Sequence, residues 1–174
     1  EETGVKGVKV DYYESDNQYT MKQMYDCATI AAKHKLNVLF HGCNVPSGEQ
    51  RTFPNVLGYE AVRGAEWFKW NVGSTVASQL TYLFTRNVLG GMDYTPPAMK
   101  INQLNTTAGY QLAQIVAYES GLPNYASSVF KLEGFKGLAL MNDIPVTWDE
   151  TRLIDGYPAK YLAVARRNGE DWYI

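Results

Sequence analysis

The sequence has few cysteines and no long apolar run. Its 174 residues include only Cys27 and Cys43, which is too few for a disulfide framework, so we expect two free thiols. No apolar stretch approaches the ~20 residues that a membrane-spanning helix needs. The amino terminus lacks the charged and apolar segments of a signal peptide. A membrane-spanning chain and a disulfide-rich scaffold are therefore not predicted.

An excess of positive charge is also lacking. The chain carries 16 basic and 18 acidic residues, for a net charge of −2, and no basic stripe predicts binding to nucleic acid. Several catalytic patterns are missing as well: HExxH, zinc-type cysteine and histidine spacing, GxSxG and GxGxxG. Zinc, serine-nucleophile and dinucleotide chemistry therefore have no support.

The first part of the chain has the pattern of a β-α-β unit. A buried strand runs from Val5 to Val10 and stops at Asp11. Ser15 with Gln18 forms a capping-box pattern that predicts the start of a helix, which closes near His34. A second strand is predicted over 37–41. This order is typical of parallel sheets.

Two further helices, over 76–89 and 105–120, continue the alternation, with Asn105 or Thr106 as the second cap. The order predicts an α/β fold, either an open sheet or part of a (β/α)8 barrel. A complete barrel takes about 250 residues, more than this chain contains. From about residue 146 apolar and polar residues alternate instead, which is typical of strands. The segments "KYLAVARR" and "DWYI", separated by a glycine turn, predict an antiparallel hairpin.

Polar residues stand where the predicted parallel strands end, which is the edge at which barrel enzymes carry their chemistry. These residues are Asp11, His41, Glu60, Glu66 and Asp93. Two carboxyl groups across a cleft are what glycoside hydrolysis needs, one to attack or activate water and one to protonate the leaving oxygen. A further carboxylate suits a hard cation such as Ca²⁺.

Structural interpretations stand beside these functional ones. Asp11 could cap the following helix, and His41 could be a hydrogen-bonded, half-buried imidazole. For Asp93, which precedes Tyr94-Thr95-Pro96, we favour an Asx-type turn.

The other polar residues also have structural alternatives. Glu60 and Glu66 flank Arg63, so an ion pair with that arginine is the simpler interpretation. Lys9 shares a strand face with Asp11 and could form a salt bridge with it, or act as an amine nucleophile.

Five ordered blocks resemble glycoside hydrolase family 97, a family of α-glucosidases and α-galactosidases. They are "GVKGVKVDYYESDNQ", "AAKHKLNVLFHG", "PSGEQRTFPNVLGYEAVRGAEW", "TRNVLGGMDYTP" and "PVTWDETRLIDGYPAKYLAVARRNGEDWYI". The resemblance implies a partial (β/α)8 TIM barrel, from about strand four onward, over residues 1–145. Residues 146–174 would then begin a C-terminal antiparallel β domain.

The resemblance also implies roles for individual residues. Retaining members of the family carry a nucleophilic aspartate at the end of barrel strand four, where this chain has Asp11. Inverting members carry a glutamate base after the histidine of the "FH" strand, where this chain has Gly42. The chain thus resembles the retaining, α-galactosidase-like branch, with Glu66 as acid/base and Glu60 as a Ca²⁺ ligand. The implied or candidate substrate-binding residues are His41, Lys9, Arg51, Asn55 and Arg63.

The implied partner is an oligosaccharide or α-galactoside, and the implied location is periplasmic or secreted. An open half-barrel would leave strand edges uncovered, so we expect self-association or pairing with the missing half of the barrel. The alternatives are a catalytically incomplete carbohydrate-binding fragment, α-glucosidase specificity and a Schiff-base lyase that uses Lys9.

Overall fold

The computed structural model describes residues 4–99 and 105–174. Its strands are β1 (Gly7–Val10), β2 (Asn37–Phe40), β3 (Val56–Tyr59), β4 (Glu150–Tyr157), β5 (Tyr161–Asn168) and β6 (Asp171–Tyr173). Its α-helices are α1 (Gln18–Lys33), α2 (Val76–Tyr82), α3 (Ala108–Ala117), α4 (Val129–Leu132) and α5 (Leu138–Asp143). Three 3₁₀ helices cover Glu49–Arg51, Ala65–Trp70 and Arg86–Leu89. None of the helices within these ranges is long and apolar enough to cross a membrane.

Strands β1, β2 and β3 form a parallel sheet in chain order, with Val10 opposite Phe40 at the carboxyl end of the first pair. Helix α1 connects β1 to β2, which confirms the predicted β-α-β unit. Beyond β3 the sheet is extended by one isolated parallel bridge, between Tyr59 and Met92. Asp93, which we placed at the end of a parallel strand, therefore follows a single bridging residue, Met92.

Helix α1 begins two residues later than the capping-box pattern indicated. Asn17 is the N-cap, and its side chain accepts a hydrogen bond from the Thr20 amide at 2.9 Å. Ser15 instead accepts hydrogen bonds from Asn17, so the prediction that it caps the helix was wrong. His34 is the exposed C-cap, as predicted.

The core beside the parallel sheet forms because α1 is amphipathic. Its buried positions recur every three or four residues and pack against the sheet. The buried helix residues are Thr20, Met24, Ala28 and Ala31, and the last three form one cluster with Val38, Phe40, Val56 and Tyr59 of the strands. Burying each large apolar side chain contributes about 1.5–3 kcal/mol, and this holds the strand ends in register.

The later helices are shorter than their patterns indicated. The helix predicted over 105–120 is α3, and its N-cap is Thr107, whose hydroxyl accepts from the Tyr110 amide at 3.2 Å. The segment 76–89 splits into α2 and a 3₁₀ helix. The spacing of apolar residues predicted the approximate positions of these helices. The first residue of α3 is set by the Thr107 hydroxyl, which caps the helix.

Strands β4, β5 and β6 form a separate antiparallel sheet in that order, which confirms the predicted C-terminal hairpin. Arg166 of β5 is buried and donates to the Ala117 carbonyl at 2.8 Å. Its guanidinium also lies over the Trp148 ring, 5.6 Å from the centroid. This arginine attaches the sheet to the end of α3.

Candidate active site

Three polar side chains come directly after the three parallel strands. Asp11 follows β1, His41 follows β2 and Glu60 follows β3. Because the carboxyl ends of parallel strands meet at one edge of a sheet, these side chains are brought together although about fifty residues separate the first from the last.

His41 lies at the centre of the group. Its Nδ1 atom is 3.6 Å from Asp11 Oδ2, 3.2 Å from Glu60 Oε2 and 3.8 Å from Glu66 Oε1. Its Nε2 atom is 3.5 Å from Asp93 Oδ2. One imidazole therefore contacts four carboxylates, which we call the carboxylate cluster.

The His41 side chain is only 3% exposed. Burial alone would lower the pKa of His41, but the contact with Asp93 and the charge of Glu60 outweigh it, so the pKa is raised. The Nε2 atom makes no hydrogen bond within the described residues, so its contact with Asp93 is mainly electrostatic. The interpretation of His41 as a fully hydrogen-bonded imidazole was wrong.

Glu60 is buried beside His41. Its Oε2 atom accepts a hydrogen bond from the Gly42 amide at 2.8 Å. Removal from water raises the pKa of Glu60, although the Gly42 amide and His41 act in the opposite direction. A buried carboxylate of this kind is stabilised by an additional positive charge, such as a bound cation.

Asp11 is the most exposed member, with 40% of its side chain accessible to solvent. Its Oδ1 atom accepts from the Tyr12 amide at 2.7 Å. Its Oδ2 atom faces His41. Tyr12 has a left-handed backbone, with φ of 69°. The carboxylate of Asp11 thus accepts a hydrogen bond from the next residue and remains open to solvent. It does not cap α1, whose N-cap is Asn17.

Glu66 reaches the cluster from the 3₁₀ helix Ala65–Trp70. That helix is attached to the segment after the Met92 bridge by two hydrogen bonds. The Ala65 amide donates to the Tyr94 carbonyl at 2.6 Å, and the Glu66 amide donates to Thr95 Oγ1 at 3.2 Å. The Glu66 side chain is 25% exposed, so its carboxylate is accessible to solvent.

Asp93 is the member whose role the sequence reasoning missed. Its side chain is 1% exposed. The carboxylate accepts from the Asn124 backbone amide at 3.1 Å and from Asn124 Nδ2 at 2.9 Å. The Asx-turn interpretation was therefore wrong, because these donors lie 31 residues further along the chain. The available signal was the position of Asp93, one residue after the bridge at Met92.

Lys9 contacts the cluster through Asp93, since its Nζ atom lies 3.8 Å from Asp93 Oδ2. The predicted partner, Asp11, was wrong. The ion pair expected between Arg63 and its flanking glutamates is not formed among the described residues; the Arg63 guanidinium lies 5.4 Å from the centroid of the Trp67 ring.

The two remaining candidates lie elsewhere. Arg51 lines a cleft that also includes Gln50 and Gly90. Asn55 precedes β3, and its Nδ2 atom donates to the backbone carbonyls of Ala28 and Leu36 at 3.0 and 3.2 Å. Asn55 therefore ties α1 to the amino end of the sheet, opposite the carboxylate cluster.

His41, Glu60 and Glu66 could hold a metal ion, because one ligand atom from each lies within 4.8 Å of the others. Ca²⁺ takes six to eight oxygen ligands, whereas imidazole nitrogen suits transition metals. The two carboxylates therefore fit part of a calcium shell, and the His41 nitrogen does not.

Comparisons with known proteins show which family the sequence resembles. Residues 1–62 match the family model for glycoside hydrolase 97. Residues 147–174 match the model described as glycosyl-hydrolase 97 C-terminal, oligomerisation. The chain is 38% identical, over its full length, to a probable retaining alpha-galactosidase of Streptomyces bingchenggensis. It is 35% identical, over 99% of its length, to a retaining alpha-galactosidase of Bacteroides thetaiotaomicron. The chain spans 27% and 28% of these two relatives.

The fold is also similar to those of solved glycosidase structures. A beta-arabinopyranosidase is 33% identical, with a TM-score of 0.85 over 98% of this chain and 30% of that one. A glycoside hydrolase family 97 enzyme of Pseudoalteromonas sp. strain K8, solved with acarbose, is 25% identical, with a TM-score of 0.81 over 90% of this chain and 25% of that one.

The parallel sheet with carboxylates along one edge, together with these matches, places the chain among the glycoside hydrolases. It belongs to glycoside hydrolase family 97.

Proposed function

We propose that the protein is a retaining α-glycosidase that hydrolyses terminal α-galactosides, with Asp11 as nucleophile and Glu66 as acid/base. One observation carries the proposal: oxygen atoms of both carboxylates lie within 3.8 Å of the same His41 nitrogen, so the two groups face one small space. The names of the two relatives support the sugar and the stereochemistry.

In the first step, Asp11 Oδ2 attacks the anomeric carbon and forms a glycosyl ester. The bond from that carbon to the leaving oxygen breaks, and Glu66 gives its proton to that oxygen. Asp11 suits attack because the Tyr12 amide holds its other oxygen and solvent reaches the carboxylate.

In the second step, a water molecule attacks the same carbon from the side that the leaving group vacated. Glu66 takes the proton of this water, and Asp11 leaves as a carboxylate. Two inversions give retention, so the first sugar product is the α-anomer. This mechanism requires a separation of about 5–5.5 Å between the two carboxyl groups.

We further propose that the parallel sheet is part of a (β/α)8 barrel, with residues 146–174 outside it. The sequential strand order and the cluster at the carboxyl edge support this arrangement. The sheet β1–β2–β3 would then be completed by strands other than those in the described residues.

Calcium is the proposed cofactor, with Glu60 as a ligand. When bound, the ion would orient sugar hydroxyls and neutralise the charge that burial makes unfavourable at Glu60. Calorimetric titration with CaCl₂ should show binding that Glu60→Gln weakens. Glu49→Gln, which changes a buried carboxylate hydrogen-bonded to Ser47, is the control and should leave calcium binding unchanged.

Hydrolysis of p-nitrophenyl α-galactoside in the presence of calcium, followed by NMR, tests the reaction. The α-anomer should appear first. Asp11→Ala should abolish turnover, and azide should restore it with formation of β-galactosyl azide. Asp26→Ala, which removes an exposed helix carboxylate, should behave as wild type. Release of the β-anomer, or full activity in Asp11→Ala, would contradict the mechanism.

A second candidate substrate is a β-L-arabinopyranoside, which has the ring of an α-galactoside without the exocyclic CH₂OH group. The 33% identity to a beta-arabinopyranosidase favours it. The same assay with p-nitrophenyl β-L-arabinopyranoside and α-glucoside ranks the three sugars by kcat/KM. Binding of galactose by calorimetry without any turnover would favour a catalytically incomplete binding fragment.

We also propose that the protein self-associates through β4. The description of the matching C-terminal family model names oligomerisation. Leu153 and Ile154 are about 60% exposed, and a bulge between Leu153 and Asp155 interrupts the strict alternation of faces on this strand. Exposed apolar residues that form a continuous patch are typical of interfaces. Sedimentation velocity should show a dimer or larger assembly that Leu153→Asp dissociates. Ile30→Asp, on an exposed face of α1, is the matched control.

A further inference from the structure

Gly42 lies where the chain leaves β2, between two members of the carboxylate cluster. Its backbone is left-handed, with φ of +47°. Its amide donates to Glu60 Oε2 at 2.8 Å. A Cβ atom added to this residue would stand 2.6 Å from Asp11 Oδ1 and 3.0 Å from the Tyr12 amide nitrogen. The space that a side chain would need is therefore occupied by the carboxylate of Asp11.

From this contact we infer that Gly42 is a positioning residue for Asp11. The absence of a side chain allows the Asp11 carboxylate to lie against the backbone of residue 42 and to accept from the Tyr12 amide. Any larger residue pushes the carboxylate away from that amide and from the anomeric carbon. The inference rests on the proposed function, because it specifies how the nucleophile of that reaction is held.

Two effects of a substitution at Gly42 must be separated. The first is the strain of a left-handed backbone, which any L-residue bears. The second is the collision with Asp11. Gly169 supplies the matched control, because its φ is +58° and its amide also donates to a carboxylate, that of Asp149, at 2.8 Å. Among the described residues, apart from its two chain neighbours, none has an atom within 4 Å of an added Cβ. Gly169→Ala therefore carries the strain without the collision.

The position of the Asp11 carboxylate can be measured without any assay of activity. The Tyr12 amide donates a hydrogen bond to Asp11 Oδ1. In ¹H–¹⁵N spectra, Gly42→Ala should move the Tyr12 amide upfield and speed its hydrogen exchange, because the acceptor is lost. Gly169→Ala should leave this signal unchanged.

Activity provides the second readout. A displacement of about 1 Å in a reacting group costs about 100-fold in rate, so Gly42→Ala should lower kcat on p-nitrophenyl α-galactoside by about that factor. KM should change much less, since the substrate contacts remain. An unchanged Tyr12 signal with a kcat equal to that of Gly169→Ala would overturn the inference.

The inference and the proposed function can fail separately. If the wild-type protein hydrolyses no α-glycoside, the function fails, and the Tyr12 signal alone decides the role of Gly42. If Gly42→Ala does not fold, the double variant Gly42→Ala/Asp11→Ala tests the role of Gly42. This variant removes the 2.6 Å contact between the added Cβ atom and Asp11 Oδ1. Recovery of folding in the double variant supports the inference, and failure of both variants to fold overturns it.

Discussion

Replacing Asp93 by alanine removes the most deeply buried carboxylate of the cluster. The structure places two Asn124 donors at 3.1 and 2.9 Å, His41 Nε2 at 3.5 Å and Lys9 Nζ at 3.8 Å from its oxygens. The Asp93 side chain is 1% exposed, whereas that of Lys9 is 32% exposed. The variant therefore leaves both Asn124 donors without their acceptor and the buried His41 imidazole without the neighbouring negative charge, while the lysine can return to water.

The magnitude follows from this environment. Removing one partner of a buried charge pair costs about 3–5 kcal/mol. We take the lower end, about 3 kcal/mol, because Lys9 regains solvent. A change of 1 kcal/mol shifts Tm by about 2–4 °C in a protein of this length, so we expect Asp93→Ala to lower Tm by about 6–12 °C.

Urea unfolding, with the m-value held common, measures the free energy, and a thermal melt measures Tm. The control is Asp26→Ala, which breaks an exposed ion pair with Lys22 on α1. Exposed pairs of this kind contribute about 0.3–0.5 kcal/mol. A loss of less than about 1 kcal/mol in Asp93→Ala, comparable to that control, would refute the buried role assigned to Asp93.

Three further predictions concern pH, a buried arginine and a helix cap. Burial raises the pKa of Glu60, so at this residue the native state binds more protons than the unfolded chain. In EDTA the free energy of unfolding should therefore fall as pH rises above 4.5. Glu60→Gln should make that fall less steep, and an unchanged slope in the variant would contradict the prediction. Arg86 is buried and donates to the carbonyls of Tyr59, Gly90 and Gly91, so Arg86→Met should cost about 3 kcal/mol in urea unfolding, and a cost below about 1 kcal/mol would be too small for three lost bonds. Asn17→Ala should cost about 1 kcal/mol through loss of the α1 cap, and a neutral result by the same measurement would mean that the cap is not formed.

Much of the site could be predicted from local patterns. Apolar runs ending in a polar residue located Asp11 and His41 at strand ends, because a buried strand cannot continue through a charged side chain without a partner. The alternation of strands with helical patterns predicted a parallel sheet, which brings those ends to one edge. The C-terminal hairpin followed from alternation around a glycine turn.

Contacts between distant residues could not be predicted in this way. Asp93 resembled a turn residue because Asx turns depend on neighbours within two residues, whereas its actual donor, Asn124, lies 31 residues away. Lys9 was paired with Asp11 because they share a strand face, but a closer carboxylate comes from the segment after Met92.

The sequence by itself determined the strand ends, the β-α-β order and the membership in family 97, since these depend on local composition and on matching blocks. Only the tertiary structure decided that the His41 imidazole contacts four carboxylates and that the Asp11 carboxylate lies where a side chain at residue 42 would be. Those contacts depend on the register between strands and on the path of the chain after each strand. Both are set by packing of the whole core, which no single segment of sequence encodes.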